Sequence, residues 1–384
     1  MKQVLRSIHE KNLIIDNIIR AMTERESFLL LGHRNPDEDC IASMVAFSLL
    51  LSKFMRQVTI CLPLKVHPHF QYLINICRYN SIQVLRSCDR APERIDTLVI
   101  CDTAKPSMVI SNQVIDGLFG DPEVLKIEID HHVGADSAYI GDPGYCLVTE
   151  ATSASELVGH VTLKLSRKHD LLRQFQIENP LSRNIVLAIL TGIVGDTNMG
   201  KFIKSRREQR YYRIFSDLFN RMLAEKTVKD SNFKNIDEIH GELQRLSTEE
   251  DACHRYFQRR KRFSASIGYV ALDDEDTRTL FETCDEETVV SVARAMANEL
   301  AEESGRISLV AYYDHPGHSD LVQFRARRSH RYKRFDLRAV LEAFSIRDGG
   351  GHEGAIGFRV PRDQVKDYRE YVRRMIEGIE AMLP

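Results

Sequence analysis

Four short clusters of carboxylate and imidazole side chains carry the chemistry this sequence could do. The first, Gly32-His33-Arg34-Asn35-Pro36-Asp37-Glu38-Asp39, offers His33, Asp37 and Asp39. The second is Asp102, directly after the apolar run 97–101. The third is Asp130-His131-His132, after the run 124–129, and the fourth is Asp196 in Gly195-Asp196-Thr197, closing a further apolar stretch. His33, Asp37, Asp39, Asp102, His131 and Asp196 together make two imidazoles and four carboxylates. Carboxylates gathered this densely need cations to neutralise them. The donor set suits Mn²⁺ or Mg²⁺, and imidazole tilts it toward Mn²⁺. A carboxylate bridging two such ions, about 3.5–4 Å apart, is the usual arrangement of two-metal hydrolases. Taken singly, each residue has a plainer reading: Asp37, Asp39 or Asp102 as a turn former or helix cap, His131 and His132 as ordinary polar residues. Their recurrence at the ends of successive elements favours a site.

The elements that must position these residues alternate along the first half of the chain. Residues 28–31, 58–62, 97–101 and 124–129 read as buried strands, and 41–54 as a helix. Short apolar runs separated by helices predict an α/β fold with a parallel sheet. Such sheets build their sites at the carboxyl ends of the strands, where three of the four clusters fall. Ser153 and Glu156 have capping-box spacing at a helix start, and 184–194 reads as a buried helix. From 205 to 262 the pattern is charged and amphipathic. A second β-rich pattern follows, with strands at 264–272, 307–313 and 321–326 and helices at 287–304, 337–344 and 364–382. The expected organisation is a catalytic domain over 1–237, a helical connector over 238–262 and a smaller α/β domain over 263–384.

With 384 residues there is room for two cores, and a formal net charge of −2 gives no global attraction to polyanions. Binding of a phosphate-bearing ligand must therefore come from a local patch or from metal ions. The eight cysteines are scattered without a Cys-x-x-Cys pair, which points to buried thiols in a reducing compartment and away from structural zinc. Residues 1–22 lack the continuous apolar core of a signal peptide, and no run approaches the roughly 18 apolar residues that span a bilayer. A cytoplasmic protein with no membrane association is expected.

In the second half, Arg325 and Arg327 would point to one face of a strand, a geometry suited to a strip of phosphate contacts. The nearby Phe324 and Tyr332 could stack on a base, and 328–334 reads equally as a solvated loop. Gly349, Gly350 and Gly351 can bring bare backbone N–H groups to a phosphate, and His352 can donate a hydrogen bond to it. A glycine-rich turn between helix and strand is the plainer reading of three glycines alone.

Taken in order, these motifs resemble the DHH family of phosphoesterases. Asp130-His131-His132 resembles the motif that names the family, and His33-x-x-Pro36-Asp37-x-Asp39 its first motif. Asp102 and Gly195-Asp196-Thr197 match the second and fourth. Gly349-Gly350-Gly351-His352-x-x-Ala355-x-Gly357-Phe358 is similar to the hallmark of the first type of DHH-associated domain. The resemblance implies two divalent ions: one on His33, Asp37 and Asp102, the other on Asp39, Asp102, His131 and Asp196, with Asp102 bridging. It implies that Asp130 orients His131, that His132 faces the scissile phosphate, and that Arg325 and the glycine run bind substrate. The layout resembles NrnA-like nanoRNases, which degrade very short RNA and often act on 3′-phosphoadenosine 5′-phosphate. A cyclic- or linear-dinucleotide phosphodiesterase is the alternative, and a non-catalytic nucleotide- or RNA-binding module the rival from another class. A homodimer is left open. Two features depart from the family pattern: Ile41-Ala42-Ser43 stands where a Gly-Ser pair is common, and the basic stretch after Asp196 is long.

Overall fold

The computed structural model describes all residues except 6, 87–93, 135, 202, 204, 225–232 and 316, together with the side chains of residues 224 and 352. The chain divides into two units, Met1–Arg245 and Leu246–Pro384. The boundary falls inside the stretch 238–262.

The first unit runs α1 (Ile8–Glu24), β1 (Ser27–Leu31), α2 (Glu38–Lys53), β2 (Gln57–Leu62), α3 (Gln71–Tyr79), β3 (Gln83–Arg86), β4 (Thr97–Cys101), α4 (Gln113–Gly120), β5 (Leu125–Asp130), β6 (Cys146–Val148), α5 (Ala154–Leu165), α6 (His169–Gln174), α7 (Arg183–Thr197), α8 (Arg206–Ala224) and α9 (Ile236–Leu243). Its six strands pair in the order β3-β2-β1-β4-β5-β6, all parallel. Both faces are covered, so β1 and β4 are buried at every position. Phe28 and Leu30 join the core shared with α2, α5 and α7; Leu29 and Leu31 join a separate cluster with Ile115 of α4. The expected α/β parallel sheet is thus observed.

This order reverses direction between β1 and β4. In open α/β sheets that switch point leaves a crevice beyond the carboxyl ends of the two strands. His33 lies just past β1 and Asp102 just past β4, on either side of it.

In this unit two strands escaped the sequence reading: β3 is half polar, and β6 has only three residues. The helix expected over 41–54 starts earlier, at Glu38, because Asp37 caps it: Cys40 N–H donates to Asp37 Oδ1 at 3.2 Å. Asp39 through Leu51 are all buried, since α2 is packed between the sheet and α7. The basic stretch after Asp196 forms α8, whose Phe215 and Phe219 are buried in the same core.

The second unit runs α10 (Thr248–Gln258), β7 (Arg262–Phe263), β8 (Ile267–Ala271), α11 (Asp274–Phe281), α12 (Glu286–Ser304), β9 (Ile307–Tyr313), β10 (Leu321–Arg328), α13 (Arg338–Ala343), β11 (Gly349–His352), β12 (Ala355–Pro361) and α14 (Tyr368–Met382). Its sheet order is β11-β12-β10-β9-β8-β7, with only β8 and β9 parallel. Val322, Phe324 and Ala326 of β10 enter the core with α14. Phe324 stacks on Phe358 with ring centroids 4.9 Å apart, so it is committed to packing rather than to a base. The glycine run is an edge strand rather than a turn.

Among the described residues six cysteines are free, five of them buried. Cys61 is disulfide-bonded, which departs from the expectation of free thiols throughout. Among the described residues no helix is long and apolar enough to cross a membrane.

Candidate metal centre

Asp102 sits at the centre of the first unit's cluster. Its backbone is left-handed, with φ +47°, an uncommon conformation for a residue with a side chain that turns the carboxylate back over the sheet edge. Oδ2 lies 3.7 Å from His33 Nε2, while Oδ1 lies 3.3 Å from His131 Nε2 and 3.5 Å from His132 Nδ1. One buried carboxylate therefore has an imidazole facing each of its oxygens.

The remaining expected ligands arrive from two helices, α2 and α7. Asp37 stays close to His33, with Oδ1 3.6 Å from Nε2, although the same oxygen caps α2. The plainer reading of Asp37 as a cap is therefore correct, and it does not remove the residue from the cluster. Asp39 is fully buried, and its carboxylate receives the first N–H groups of α5: Ala154 at 2.5 Å and Ser155 at 2.9 Å. A helix N-terminus is a natural anion seat, so Asp39 is anchored as a charge would be. Asp196 lies in the last turn of α7, which ends at Thr197 and is capped by Asn198, φ +45°. Asp196 Oδ2 lies 3.4 Å and Asp39 Oδ2 4.0 Å from His131 Nε2, so that one nitrogen faces three carboxylates.

Three groups of side chains could each enclose a cation: His33, Cys40 and Asp102; Asp102, His131 and His132; and Asp39, His131 and Asp196. Cys40 was not among the expected ligands. Its thiol is buried within this cluster, and burial pushes it up to about 11.

Without a cation, protons must do the neutralising. Burial and then the charge of Asp102 push Asp39 up to about 7. Partial burial and then Asp39 raise Asp196 well above the usual carboxylate range. Burial opposes charge on His131, but Asp102, Asp196 and Asp39 outweigh it and raise the imidazole well above its usual value. Burial likewise opposes ionisation of Asp102, yet His131 and His33 hold it well below the carboxylate range. Asp102 Oδ1 is also buried without a directed hydrogen bond. A donor set that must be half protonated to exist, with a buried oxygen left over at its centre, fits divalent cations well.

One expected role is corrected. Asp130 does not orient His131: its Oδ1 accepts from His132 Nδ1 at 2.7 Å, and Oδ2 accepts from Lys2 Nζ at 2.5 Å. His131 Nδ1 instead faces the Ala151 carbonyl at 3.4 Å. Asp130 is fully buried because it ends β5; His132, two residues further, is 45% exposed and the most open imidazole of the group. Lys2 was invisible to sequence reasoning, since a lone lysine near position 1 carries no spacing signal.

In the second unit, Arg325 and Arg327 point to the same face of β10, on the side of α12. Arg327 is held by structure: its Nε donates to Asn298 Oδ1 at 3.1 Å and its Nη1 to the Ala326 and Ile356 carbonyls. Burial, then Arg294 and Arg325, lowers it to about 10. Arg325 Nε is buried without a hydrogen-bond partner. Arg325 pairs across β12 with Gly357, which pairs in turn with Gly350 of β11, so two glycines leave the rung beside this guanidinium clear. Gly351 has φ +141°, and a Cβ there would come 2.1 Å from the Ala355 carbonyl oxygen, so only glycine fits; Gly349 is hemmed in by Phe358, while Gly350 is open. The His352 side chain lies outside the described residues. Arg328 and His330 are engaged locally, Arg328 with the Phe335 carbonyl and His330 with Glu302.

Residues 27–193 match the profile described as the DHH family, N-terminal domain. The cyclic-di-AMP phosphodiesterase PdeA of Listeria monocytogenes serotype 1/2a (strain 10403S) is 30% identical over 183 residues, 46% of this chain and 25% of the relative. The chain thus spans about a quarter of that relative's length. Among solved structures, an exopolyphosphatase-related protein from Bacteroides fragilis superposes with a TM-score of 0.64 at 16% identity, covering 94% of this chain and 96% of the other. That likeness shows a shared fold through both units. Over residues 27–193, the chain is therefore similar to the DHH family N-terminal domain.

Proposed function

We propose that this protein is a metal-dependent phosphoesterase acting on short oligoribonucleotides of two to five nucleotides and on 3′-phosphoadenosine 5′-phosphate. The placement of Asp102 carries the reading: one buried carboxylate with His33 before one oxygen and His131 before the other, beyond the switch-point strands. His33, Asp37 and Asp102 would hold one divalent ion, with the Cys40 thiol beside them. Asp102, Asp39, His131 and Asp196 would hold the other. Bound there as Mn²⁺ or Mg²⁺, the ions would supply a hydroxide near neutral pH and stabilise charge on the phosphoryl oxygens.

The chain's own residues then divide the work. The α5 N-terminus holds the Asp39 carboxyl group in place. Asp130 holds the Nδ1 side of His132, leaving Nε2 to meet a phosphoryl or leaving-group oxygen with its proton. In the second unit, Arg325, with a spare donor, and the open backbone of Gly350 have the chemistry to bind a phosphate.

A second reading is a phosphodiesterase of cyclic or linear dinucleotides. It is favoured by the 30% identity to a relative named for cyclic di-AMP, and it uses the same centre. One assay separates the two. Release of mononucleotide or phosphate is followed with Mn²⁺ for pApA, pGpG, cyclic di-AMP, a 24-mer RNA and 3′-phosphoadenosine 5′-phosphate, beside the Asp130→Ala, His131→Ala double variant. The first reading expects turnover of pApA and 3′-phosphoadenosine 5′-phosphate, lost in the variant. Preferred cleavage of cyclic di-AMP selects the second, a 24-mer cut as fast as pApA removes the short-substrate preference, and no turnover of any substrate removes both readings.

A further inference from the structure

Lys2 lies far from the catalytic motifs in sequence yet is 1% exposed and reaches the Asp-His-His cluster. Its ammonium donates to Asp130 Oδ2 at 2.5 Å and to the Thr103 carbonyl at 2.6 Å, and forms an ion pair with Glu128 Oε1 at 2.6 Å. The backbone around it is also fixed. Lys2 N–H donates to Ser137 Oγ at 3.1 Å, Gly134 N–H to the Lys2 carbonyl at 3.3 Å, and Gln3 N–H to the Tyr139 hydroxyl at 3.1 Å. The segment before α1 is thus fastened to the loop that follows His132.

Glu128 and Asp130 stand two residues apart on β5 and point to one face. Two buried carboxylates on one face repel unless a cation sits between them. Glu128 Oε2 is already committed, accepting from the Ile140 and Gly141 N–H groups at 2.9 and 3.1 Å. With Lys2 on Asp130 Oδ2, the other oxygen is left aimed at His132 Nδ1, 2.7 Å away. An ionised carboxylate only accepts, so Nδ1 must carry the ring proton and Nε2 is turned outward.

We propose that Lys2 is a positioning residue: by clamping Asp130 against Glu128 it fixes the ring orientation and tautomer of His132. This rests on the reading above, in which His132 meets the substrate. Removing the clamp lets Asp130 swing from Glu128 and present no fixed acceptor to the imidazole.

Two readouts test this, one of them independent of turnover. The full chain is labelled with ¹⁵N-histidine and stripped of metal at pH 8, and long-range ¹H–¹⁵N correlation reports each tautomer, His132 being assigned with His132→Gln. Lys2→Met is compared with wild type. Because two buried carboxylates would then lack a cation, Lys2→Met with Glu128→Gln provides a variant with less buried charge. Wild type is expected to show a single Nδ1–H tautomer at His132 and the variants a mixture. With Mn²⁺ and pApA or 3′-phosphoadenosine 5′-phosphate, kcat should fall about 10- to 100-fold with KM unchanged, the usual effect of removing a partner that orients a site histidine. A folded double variant with the wild-type His132 tautomer and unchanged kcat would overturn the proposal. If wild type turns over neither substrate yet the variants lose the tautomer, the phosphoesterase reading falls and the positioning by Lys2 stands. If wild type turns over both and the tautomer does not move, the positioning falls alone.

Discussion

Gly192 lies against Asp39 so closely that a Cβ on it would come 2.4 Å from Asp39 Oδ1 and 2.1 Å from Ser155 Oγ. The contact joins α2, α5 and α7, the three helices that deliver Asp39, its N–H donors and Asp196. Gly192→Ala should therefore displace the Asp39 carboxylate or wedge α7 away from α5. The expected result is a loss of about 1–3 kcal/mol in stability, as for other overpacked cores, together with loss of Mn²⁺ binding. Thermal melting and metal titration check it. Gly241→Ala in α9 is the control: nothing lies within 4 Å of its Cβ position, and removing a helical glycine should stabilise by about 0.5–1 kcal/mol.

The metal-free protein should lose stability as the pH rises through neutrality. Asp39 is raised by burial and by Asp102 to about 7, above its ordinary value of 3.8. A carboxyl raised on folding stabilises fully below its unfolded pKa and loses that contribution as pH climbs through its folded one. The window thus runs from about pH 4 to about pH 7. His131, raised by the surrounding carboxylates, acts in the same direction above the ordinary imidazole range. A cation supplies the missing charge, so added Mn²⁺ should raise the melting temperature far more at pH 7.5 than at pH 5. At about 100 times its Kd a ligand adds about 2.7 kcal/mol to the native state. Equal Mn²⁺ shifts at both pH values would show that protons do not stand in for metal here.

The parallel sheet was legible because β1 and β4 are largely apolar runs followed by residues of functional type, Leu31 before Gly32-His33 and Cys101 before Asp102, while β5 alternates Leu125, Ile127 and Ile129 with charged residues up to Asp130. β3 and β6 were not, since Gln83–Arg86 at a sheet edge has only Val84 and Leu85 between two polar ends and Cys146–Val148 is shorter than any window that shows a period. The capping-box spacing at Ser153 was half right. Ser153 Oγ accepts the Glu156 N–H, but the Glu156 carboxylate takes Thr152 N–H and Oγ1 instead of closing the box. What no local pattern could show is long-range pairing. Lys2 and Asp130 are 128 positions apart, and the exchange of His131 for His132 as Asp130's partner depends on how the chain turns after β5.

Arg325 and Arg327 share a face but not a task. Arg327 spends its donors on Asn298 and two carbonyls, so Arg327→Ala should cost about 1–3 kcal/mol of stability by stranding those acceptors. Arg325 has an unused buried donor beside the glycine rung. Arg325→Ala should leave the melting temperature nearly unchanged and raise KM for pApA by about 10-fold or more, the loss of one charge-assisted phosphate contact. Lysine should restore little, because it cannot offer the paired donors of a guanidinium. Melting curves and KM for both alanine variants separate these roles; a raised KM for Arg327→Ala alone would reverse them.

Asp102 provides the sharpest separation between one site and two. Its oxygens face opposite ways, Oδ2 toward His33 at 3.7 Å and Oδ1 toward His131 at 3.3 Å, so its charge is shared by both sides of the cluster. His33 serves one side only. Wild type should bind two Mn²⁺ per chain by equilibrium dialysis, His33→Ala one, and Asp102→Asn none with comparable affinity. The asparagine keeps the volume and one carbonyl oxygen, so a loss of both ions reports charge rather than packing. It also retains the left-handed backbone at φ +47°, which asparagine tolerates as readily as aspartate. A single ion surviving in Asp102→Asn would mean that each ion is held by its own ligands and that Asp102 does not bridge them.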